Sequence, residues 1–437
     1  MKRISILVYI LGMYFVCTAW AQQVATKPLF ERHLQHRIAN QTSNTPGVTA
    51  NQSLHAQLKS GEEKIWELGT YPGGTWFASM HLNDFGVIVG RGDVPPIDSD
   101  GVGYTHTLAV PLFGPHAGEW TDLETLGGEQ PKWWEEPLTD ISNTGLVVGS
   151  SVNPDGLTHA VAWTKPNEPI DLGTLADTGD PKYATYTSSY AYATNRLGTL
   201  IVGVGFSQEE RKKLPTVWTP SFRWKNGKFV TQWNVEALDL SAFSGLTRGV
   251  AWGVNNSGQI IGTCFNNDLT VMIALVWSPR HDGKGWNPMS LPLSPGLPMS
   301  QAYGINDRGE VVGVANSADQ SVWLPRVWQP LDRKRTTYSQ PIELPVPEGF
   351  NYCENVGINN PGDMVGDCWD EAYTMDLPTR WSTRDLAFSE IMNFPADWGF
   401  AEGVNDNRIA VITYTGGQKC TAGIPWVYTC GGAIQLH

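Results

Sequence analysis

Beyond Ala21, the chain of 437 residues lacks any apolar run long enough to cross a bilayer, which takes about 20 residues. It is also short of positive charge, with 30 lysine and arginine residues against 43 aspartate and glutamate residues and a formal net charge of −13. This balance excludes a general electrostatic grip on nucleic acid or on an anionic membrane, because both need clustered positive charge. Glycine and proline, at 46 and 29 residues, are common but too few for a disordered chain.

Familiar catalytic signatures are absent as well. The sequence contains no H-E-x-x-H, no G-x-S-x-G, no G-x-x-x-x-G-K-[ST] and no G-x-G-x-x-G that opens a helix. A glycosidase is not excluded in this way, because it needs only two carboxylates at the right separation. Glu135, Glu136, Asp177 and Asp180 are the candidates for that chemistry.

The N-terminus predicts export. Lys2 and Arg3 precede an apolar run over residues 4–16, and an A-x-A cleavage signal follows at residues 19–21. We therefore expect residues 1–21 to be a signal peptide, the mature chain to begin at Gln22, and the protein to be secreted or periplasmic. Residues 22–62 are polar with few aromatic side chains, and they predict a flexible arm.

One short signature recurs seven times. An apolar residue meets Asn-x-x-Gly, and a run rich in valine and isoleucine follows, which predicts a β-hairpin because Asn closes tight turns and Gly supplies a positive φ. The copies are about 54 residues apart, a spacing typical of four-stranded propeller blades. The first turn residues of the seven copies are Asn83, Ser142, Asn195, Asn255, Asn306, Asn359 and Asn405.

Tryptophan recurs at a fixed distance after the turn, and we expect it to pack between blades. The first copy has Val110 at this position, and the other six have Trp163, Trp218, Trp277, Trp328, Trp381 and Trp426. The segment around Trp66 resembles a fourth strand but precedes the first signature, so we expect it to complete the final blade and close a ring. The sequence thus predicts an all-β fold over residues 63–437, a seven-bladed β-propeller of four-stranded antiparallel blades.

The mature chain has an odd number of cysteines, so at least one is free or pairs between chains. Cys353 and Cys368 are equidistant from the centre of one hairpin turn, and we expect them to form a cross-strand disulfide. Cys264 occupies the repeat position of Cys368 but faces a glycine, so it is the candidate free thiol. Cys420 and Cys430 flank a predicted strand, and their direct pairing, which needs a bend, is left open.

The repeat resembles the HAF-type extracellular repeat of secreted bacterial proteins over about residues 64–437. The T-H-A-V-A-W run at 158–163, followed by D-L-G-T-L at 171–175, is the nearest match, and T-H-T-L at 105–108 is a second. The resemblance implies a secreted, propeller-like repeat protein and points to no particular activity. Most copies lack the His, so the His is not a general functional group.

Function is expected on the face opposite the Asn-x-x-Gly turns, because the connections there vary in length and functional groups gather on variable loops held by a rigid frame. Trp133 and Trp134, with Glu135 beside them, are candidate ligand contacts, and so are Tyr183 and Tyr186. Aromatic rings stack on sugar rings and carboxylates accept hydrogen bonds from hydroxyls. These residues therefore favour glycan binding.

Asp98 and Asp100 have the spacing that begins a calcium loop, but the full loop pattern is absent, so calcium is a weak candidate and no cofactor is expected. We expect a binding module for an extracellular or periplasmic ligand such as a glycan, with no nucleic-acid partner and no transmembrane segment. Two alternatives stay open: a polysaccharide-active hydrolase or lyase that uses the same face, and a cell-envelope scaffold that binds protein.

Overall fold

The computed structural model describes residues 64–97, 103–131, 138–225, 227–372, 374–416, 420 and 429–437. They form seven four-stranded sheets, and every pairing within a sheet is antiparallel. The all-β, seven-bladed propeller is therefore confirmed. None of the helices in these ranges is both long and apolar enough to span a bilayer.

Blades 1–6 each take four consecutive strands. Strand β1 (Ile65–Gly69) precedes them. The strands of blades 1–3 are β2 (Phe77–Leu82), β3 (Val87–Val94), β4 (Tyr104–Pro111), β5 (Thr121–Leu123), β6 (Asp140–Ile141), β7 (Val147–Val152), β8 (Thr158–Trp163), β9 (Pro169–Asp171), β10 (Ser188–Thr194), β11 (Ile201–Ser207), β12 (Lys212–Lys225) and β13 (Lys228–Ala237). Two short 3-10 turns, Leu175–Thr178 and Pro181–Tyr183, lie between β9 and β10.

The remaining blades follow the same order. Their strands are β14 (Arg248–Val254), β15 (Ile260–Phe265), β16 (Met272–Pro279), β17 (Trp286–Ser290), β18 (Met299–Ile305), β19 (Val311–Asn316), β20 (Trp323–Trp328), β21 (Ile342–Glu343), β22 (Tyr352–Ile358), β23 (Asp363–Trp369), β24 (Asp376–Ser382), β25 (Asp385–Ile391), β26 (Trp398–Val404), β27 (Ile409–Thr415) and β28 (Cys430–Gln435). Blade 7 consists of β26, β27 and β28 from the C-terminal end and β1 from the N-terminal end.

Ring closure follows the predicted route. Trp66 in β1 pairs with Ala433 in β28, and the Tyr414 hydroxyl donates to the Glu67 carboxylate at 3.3 Å. The C-terminal strand is the third strand of the blade and the N-terminal strand is the fourth. Each end of the chain thus covers a sheet edge that would otherwise be exposed.

The repeat asparagines close their turns as the sequence predicts. In the copy at Asn306, the side-chain oxygen accepts hydrogen bonds from the N–H groups of Arg308 and Glu310 at 3.1 and 3.0 Å. Gly309, in the same turn, has a φ of +85°, which a residue with a Cβ rarely adopts. The pattern needs both residue types, because each satisfies a different requirement of one tight turn.

The same asparagines also link neighbouring blades. In five copies the side-chain amide donates to the backbone carbonyl of the turn residue in the next blade, at 2.9–3.3 Å. The pairs are Asn83 with Ser142, Asn255 with Asn306, Asn306 with Asn359, Asn359 with Asn405, and Asn405 with Asn83. The last pair joins blade 7 to blade 1, so the chain of amide bonds runs across the point of closure.

The repeated tryptophans are buried between blades. Four indoles donate to a backbone carbonyl that follows the fourth strand of the preceding blade: Trp163 to Glu124, Trp277 to Asp239, Trp328 to Pro292 and Trp381 to Pro345. Val110 takes the equivalent place in blade 1, opposite Ile88. The spacing was misleading for Trp426, which lies outside the described residues, because the third strand of blade 7 begins only at Cys430.

Of the five cysteines among the described residues, four are paired and one is free. Cys353 and Cys368 lie opposite each other in β22 and β23 and are bonded, with a Cα–Cα distance of 4.1 Å, which confirms the prediction. Cys420 is bonded to Cys430, the pairing that the sequence left open, and Cys430 is the first residue of β28. Cys264 is the buried free thiol, and burial raises its pKa.

Candidate binding site

The connections of each blade fall on two faces. The Asn-x-x-Gly turns and the connections between third and fourth strands lie on one face, which we call the turn face. The connections between second and third strands, and the links from one blade to the next, lie on the other, which we call the loop face. The loop face is the one on which the sequence predicts function.

A cavity of about 750 Å³ opens on the loop face among blades 1, 2 and 3. Its lining is mainly polar, with two tyrosines and several amides and carboxylates. The residues that matter for recognition are Tyr104, Gln130, Asn153, Asp155, Tyr190 and Gln208. The cavity is large enough for a small oligosaccharide or a comparable polar ligand.

One wall of the cavity is fixed by Gln130, in the link between blades 1 and 2. Its side-chain oxygen accepts from the N–H of Val152 at 3.1 Å, and its amide donates to the carbonyls of Val152 and Gly128 at 3.0 Å each. The side chain is 6% exposed. The link is therefore held against the end of β7 by the same kind of hydrogen bonds that one strand makes with another.

A second wall, which adjoins the first, is a turn built on Asn153. Its side-chain oxygen accepts from the N–H groups of Asp155 and Leu157 at 3.0 Å each. Its amide nitrogen lies 3.4 Å from Nε2 of His159, whose Nδ1 lies 2.9 Å from Asp171. Asp155 is left on the surface at the tip of the turn, where it faces the cavity.

The pair of His159 and Asp171 explains the His and Asp of the HAF-like motif. Burial alone would lower the pKa of His159, but the hydrogen bond and charge of Asp171 raise it above its ordinary value. His106 and Asp122 form the same pair in blade 1 at 2.8 Å. In both blades the pair ties the third strand to the region of the fourth strand, which is a structural role.

The predicted tyrosine pair does not line this cavity. Tyr183 is half-buried, and its ring meets that of Tyr186 edge-on with centroids 6.0 Å apart. Tyr186 is 4% exposed, and burial raises its pKa to about 12, so its ring serves packing. Tyr190, a few residues further along, is the member of this cluster that reaches the cavity.

The other predicted contacts lie in segments that the structure does not describe. Trp133, Trp134 and Glu135 lie outside the described residues, immediately after Pro131 of the cavity wall. Asp98 and Asp100 also lie outside the described residues, shortly before Tyr104. Within the described ranges, no cluster of three or more His, Cys, Asp or Glu side chains is arranged to hold a metal ion.

Of the four candidates for glycosidase chemistry, two lie among the described residues and two do not. Asp177 accepts from the N–H of Thr174 at 2.6 Å, and Asp180 accepts from the N–H of Lys182 at 3.1 Å. Both carboxylates therefore cap short 3-10 turns. Glu135 and Glu136 lie outside the described residues.

A smaller cavity of about 120 Å³ lies on the propeller axis, and Arg196 closes its turn-face end. The guanidinium of Arg196, in blade 3, contacts Asp84 in blade 1 at 2.6 Å and Asp406 in blade 7 at 3.0 Å. Burial would raise the pKa of Asp84, but the bonds and charge of Arg196 outweigh it and lower that pKa. Trp252 lines the same cavity, and its ring stacks on Tyr192 at 5.2 Å.

Two buried ionisable side chains were missed by sequence reasoning. Arg91 and Asp367 directly follow the glycine that ends the signature, where other copies have Ser150 or Val204. Arg91 donates to the Ser150 carbonyl at 2.8 Å, and burial lowers its pKa to about 10. Comparing the copies position by position would have found both, because an ionisable group at a buried repeat position is the exception.

Comparison with solved structures finds several proteins to which this chain is similar at low sequence identity. The β-propeller domain of the Trilobed protease from Pyrococcus furiosus is 8% identical, covering 79% of this chain and 90% of that chain, with a TM-score of 0.47. Prolyl oligopeptidase B from Galerina marginata is 10% identical over 79% of this chain and 47% of that one, with a TM-score of 0.46. Acylaminoacyl peptidase from Pyrococcus horikoshii is 10% identical over 80% and 51%, with a TM-score of 0.43.

This chain thus spans about half the length of the two peptidases. No family model matches the sequence, and no curated protein matches it. The two disulfides are consistent with folding outside the cytoplasm, in an oxidising compartment.

Proposed function

We propose that the protein is an exported propeller that binds an extracellular or periplasmic glycan in the loop-face cavity between blades 1, 2 and 3. The observation that carries this proposal is the cavity itself, about 750 Å³ in volume and lined by Tyr104, Tyr190, amides and carboxylates. Sugars present apolar ring faces and many hydroxyls. A site of aromatic rings with amide and carboxylate oxygens offers a partner to both.

The rigidity of the walls supports the same proposal. Gln130 and Asn153 are each held by hydrogen bonds to the backbone, so the two walls are in place before a ligand arrives. A preformed site loses little conformational entropy on binding. Asp155 and Gln208, both exposed on the cavity wall, are then the groups most available to a ligand's hydroxyls.

The test is binding of the purified protein to a panel of soluble polysaccharides, measured by isothermal titration calorimetry. Tyr104→Ala, and Asp155→Asn with Gln208→Ala, should weaken binding about tenfold, because each removes on the order of 1.4 kcal/mol of contact. Tyr183→Ala and Asp268→Asn are matched controls from loop-face connections outside the cavity, and they should bind as the unaltered protein does.

The same titrations distinguish the alternatives. Loss of binding in Tyr183→Ala but not in Tyr104→Ala would move the site to the tyrosine loop and contradict the cavity assignment. New reducing ends in the polysaccharide after incubation would instead support an enzyme that uses this face. Failure of every polysaccharide to bind, at concentrations where a millimolar Kd would be visible, would contradict the glycan proposal.

A further inference from the structure

The third and fourth strands of blade 3 continue past the body of the propeller. In β12 the blade proper ends at Trp218, which pairs with Ile201, the first residue of β11. Seven further pairs, from Thr219 with Asn234 to Lys225 with Lys228, join β12 to β13 beyond that point. At about 3.3 Å per residue, this hairpin projects roughly 23 Å from the turn face. We call residues 219–234 the arm.

The arm has one aromatic side. Phe222 is 68% exposed and Trp224 is 64% exposed, and as alternate residues of one strand they point the same way. Trp224 pairs with Phe229, so the facing strand places another aromatic residue at the same register position. Trp233, which pairs with Pro220 at the base of the arm, is partly buried and packs against the core of blades 2 and 3. Two large aromatic side chains exposed on one side of a projecting hairpin indicate a contact surface.

The arm also concentrates positive charge. It contains Arg223, Lys225 and Lys228 and no aspartate or glutamate, in a chain whose net charge is −13. Lys225 and Lys228 pair at its tip, and Arg223 is exposed on the side opposite Phe222 and Trp224. The partner of the arm must therefore offer negative charge beside an apolar layer.

We propose that the arm attaches the propeller to an anionic phospholipid surface. Trp and Phe side chains on an amphipathic element enter the boundary between headgroups and acyl chains, and flanking lysine and arginine side chains meet the lipid phosphates. Phe222 and Trp224 supply the first contact, and Arg223, Lys225 and Lys228 supply the second. This attachment is peripheral and uses the face opposite the loop-face cavity.

The acidic body does not oppose this attachment. Its charge excludes a general grip on a membrane, but with Phe222 at the surface the four residues from Trp218 to Phe222 hold the body roughly 13 Å away. The Debye length at physiological ionic strength is about 8 Å, so the repulsion is screened over more than one such length. The cations at the tip, which touch the surface, are not screened in this way.

The size of the arm favours a lipid surface over a folded protein partner. A stable protein interface buries about 800 Å² on each partner. The aromatic side of the arm measures roughly 23 Å by 10 Å, which is about a third of that area. Insertion of a few aromatic side chains into a bilayer needs no such area, because each buried side chain contributes separately.

Vesicle sedimentation tests the proposal with the whole mature protein. The unaltered protein should sediment with vesicles of phosphatidylethanolamine and phosphatidylglycerol, less as salt increases, and only weakly with phosphatidylcholine alone. The double variant F222S/W224S and the triple variant R223Q/K225Q/K228Q should each lose at least about tenfold in partitioning. Phe85→Ser is the matched control: Phe85 is 69% exposed on a turn of the same face but away from the arm, and its loss should change nothing.

Several outcomes would overturn the proposal. Equal sedimentation of the unaltered protein and F222S/W224S would show that the aromatic side is not the contact. An unaltered protein that ignores vesicles but forms a dimer by light scattering, which F222S/W224S abolishes, would assign the arm to a second copy of the chain. If melting curves show that F222S/W224S is unfolded, the charge variant decides alone, because its polar replacements lie on the other side of the arm.

Discussion

The turn face and the loop face differ in how regular their connections are. On the turn face, one short motif is used seven times, and its asparagines join five pairs of neighbouring turns by amide-to-carbonyl bonds. On the loop face, each connection is different, and no comparable series of bonds passes from blade to blade in the described residues. The first face holds the ring together and the second leaves room for a cavity.

This difference shows that the repeated residues serve the fold and do not indicate where function lies. A face built from repeated turns can nevertheless carry exposed side chains that differ from the repeat. The turn face was expected to be plain because its turns are uniform. The structure places on it the exposed side chains of Phe85, Leu197, Leu331, Phe222 and Trp224, all in its connections. A connection that departs from the repeat, as the arm does, can present large exposed side chains on either face.

The largest expected effect comes from breaking the turn-face series where the ring closes. Asn405 is fully buried; its side chain accepts from the N–H of Ile409 at 2.9 Å and donates to the Asn83 carbonyl at 3.0 Å. Asn405→Ala leaves the buried N–H of Ile409 unpaired and removes one of the two hydrogen bonds to the Asn83 carbonyl, which still accepts from Gly86, so the free energy of unfolding should fall by about 2 kcal/mol. Chemical denaturation followed by tryptophan fluorescence measures this change.

Asn266 is the matched control on the loop face. It closes a turn by accepting from Val271 at 3.0 Å and donating to Thr270 at 2.8 Å, both within its own connection. Asn266→Ala should cost less than about 1 kcal/mol, because these bonds are partly exposed to water. Equal losses in the two variants would show that the links between blades add nothing to the turns themselves.

A smaller effect is expected from Arg196→Gln, which removes the contacts of blade 3 with blades 1 and 7. The side chains of Arg196 and Asp84 are 26% and 21% exposed, so the unfolding free energy should fall by about 1–2 kcal/mol at neutral pH. The folded state holds the pKa of Asp84 below its ordinary value, so this contribution is present above about pH 4 and is lost as the pH falls through the lowered pKa.

Urea denaturation at neutral pH and in acid should therefore show the difference between Arg196→Gln and the unaltered protein shrink in acid. Lys165→Gln is the control, because Lys165 and Glu168 are a pair at 2.7 Å with both side chains more than half exposed. Its loss should be hard to detect at either pH. A deficit in Arg196→Gln that is the same at every pH would contradict the assignment to Asp84.

The sequence was sufficient to predict those structural features that depend on one type of residue at one repeat position. Turn asparagines, blade-packing tryptophans, the closing strand at Trp66 and the hairpin disulfide of Cys353 and Cys368 each follow from local chemistry repeated at a fixed spacing. Spacing was misleading where the last repeat is worn, at Trp426, because β28 begins later than the pattern implies. It left open the bond between Cys420 and Cys430, which no repeat position specifies.

The candidate site could be predicted only as a face. Its aromatic candidates Tyr183 and Tyr186 lie outside the cavity, while Tyr104 and Tyr190, which line it, occupy ordinary strand positions. A cavity forms where three blades bring unrelated connections together. The sequence of any one blade contains no signal for such a meeting point.

The smallest expected effect has the opposite sign and lies towards the loop face, in blade 6. Burial, together with the neighbouring carboxyls of Asp376 and Glu354, raises the pKa of Asp367. An acid whose folded pKa is raised destabilises the folded state as the pH climbs above its unfolded value of about 3.9. Asp367→Asn keeps the volume and a donor towards Asp376, so it should stabilise the protein on the order of 1 kcal/mol at neutral pH.

Thermal unfolding at a series of pH values measures this gain, which should shrink as the pH falls through about 3.9, because below that value the unaltered carboxyl is protonated in both states. Thr413→Val is a matched control at the equivalent position of blade 7, where no ionisable group is present, and its effect should not vary with pH. A stabilisation in Asp367→Asn that depends on pH, with none in Thr413→Val, would show that this end of blade 6 retains a carboxyl whose ionised form folding disfavours. A loss of stability at neutral pH would instead mean that the fold stabilises the ionised carboxylate. Buried polar groups towards the loop face would then stabilise the fold, as those on the turn face do.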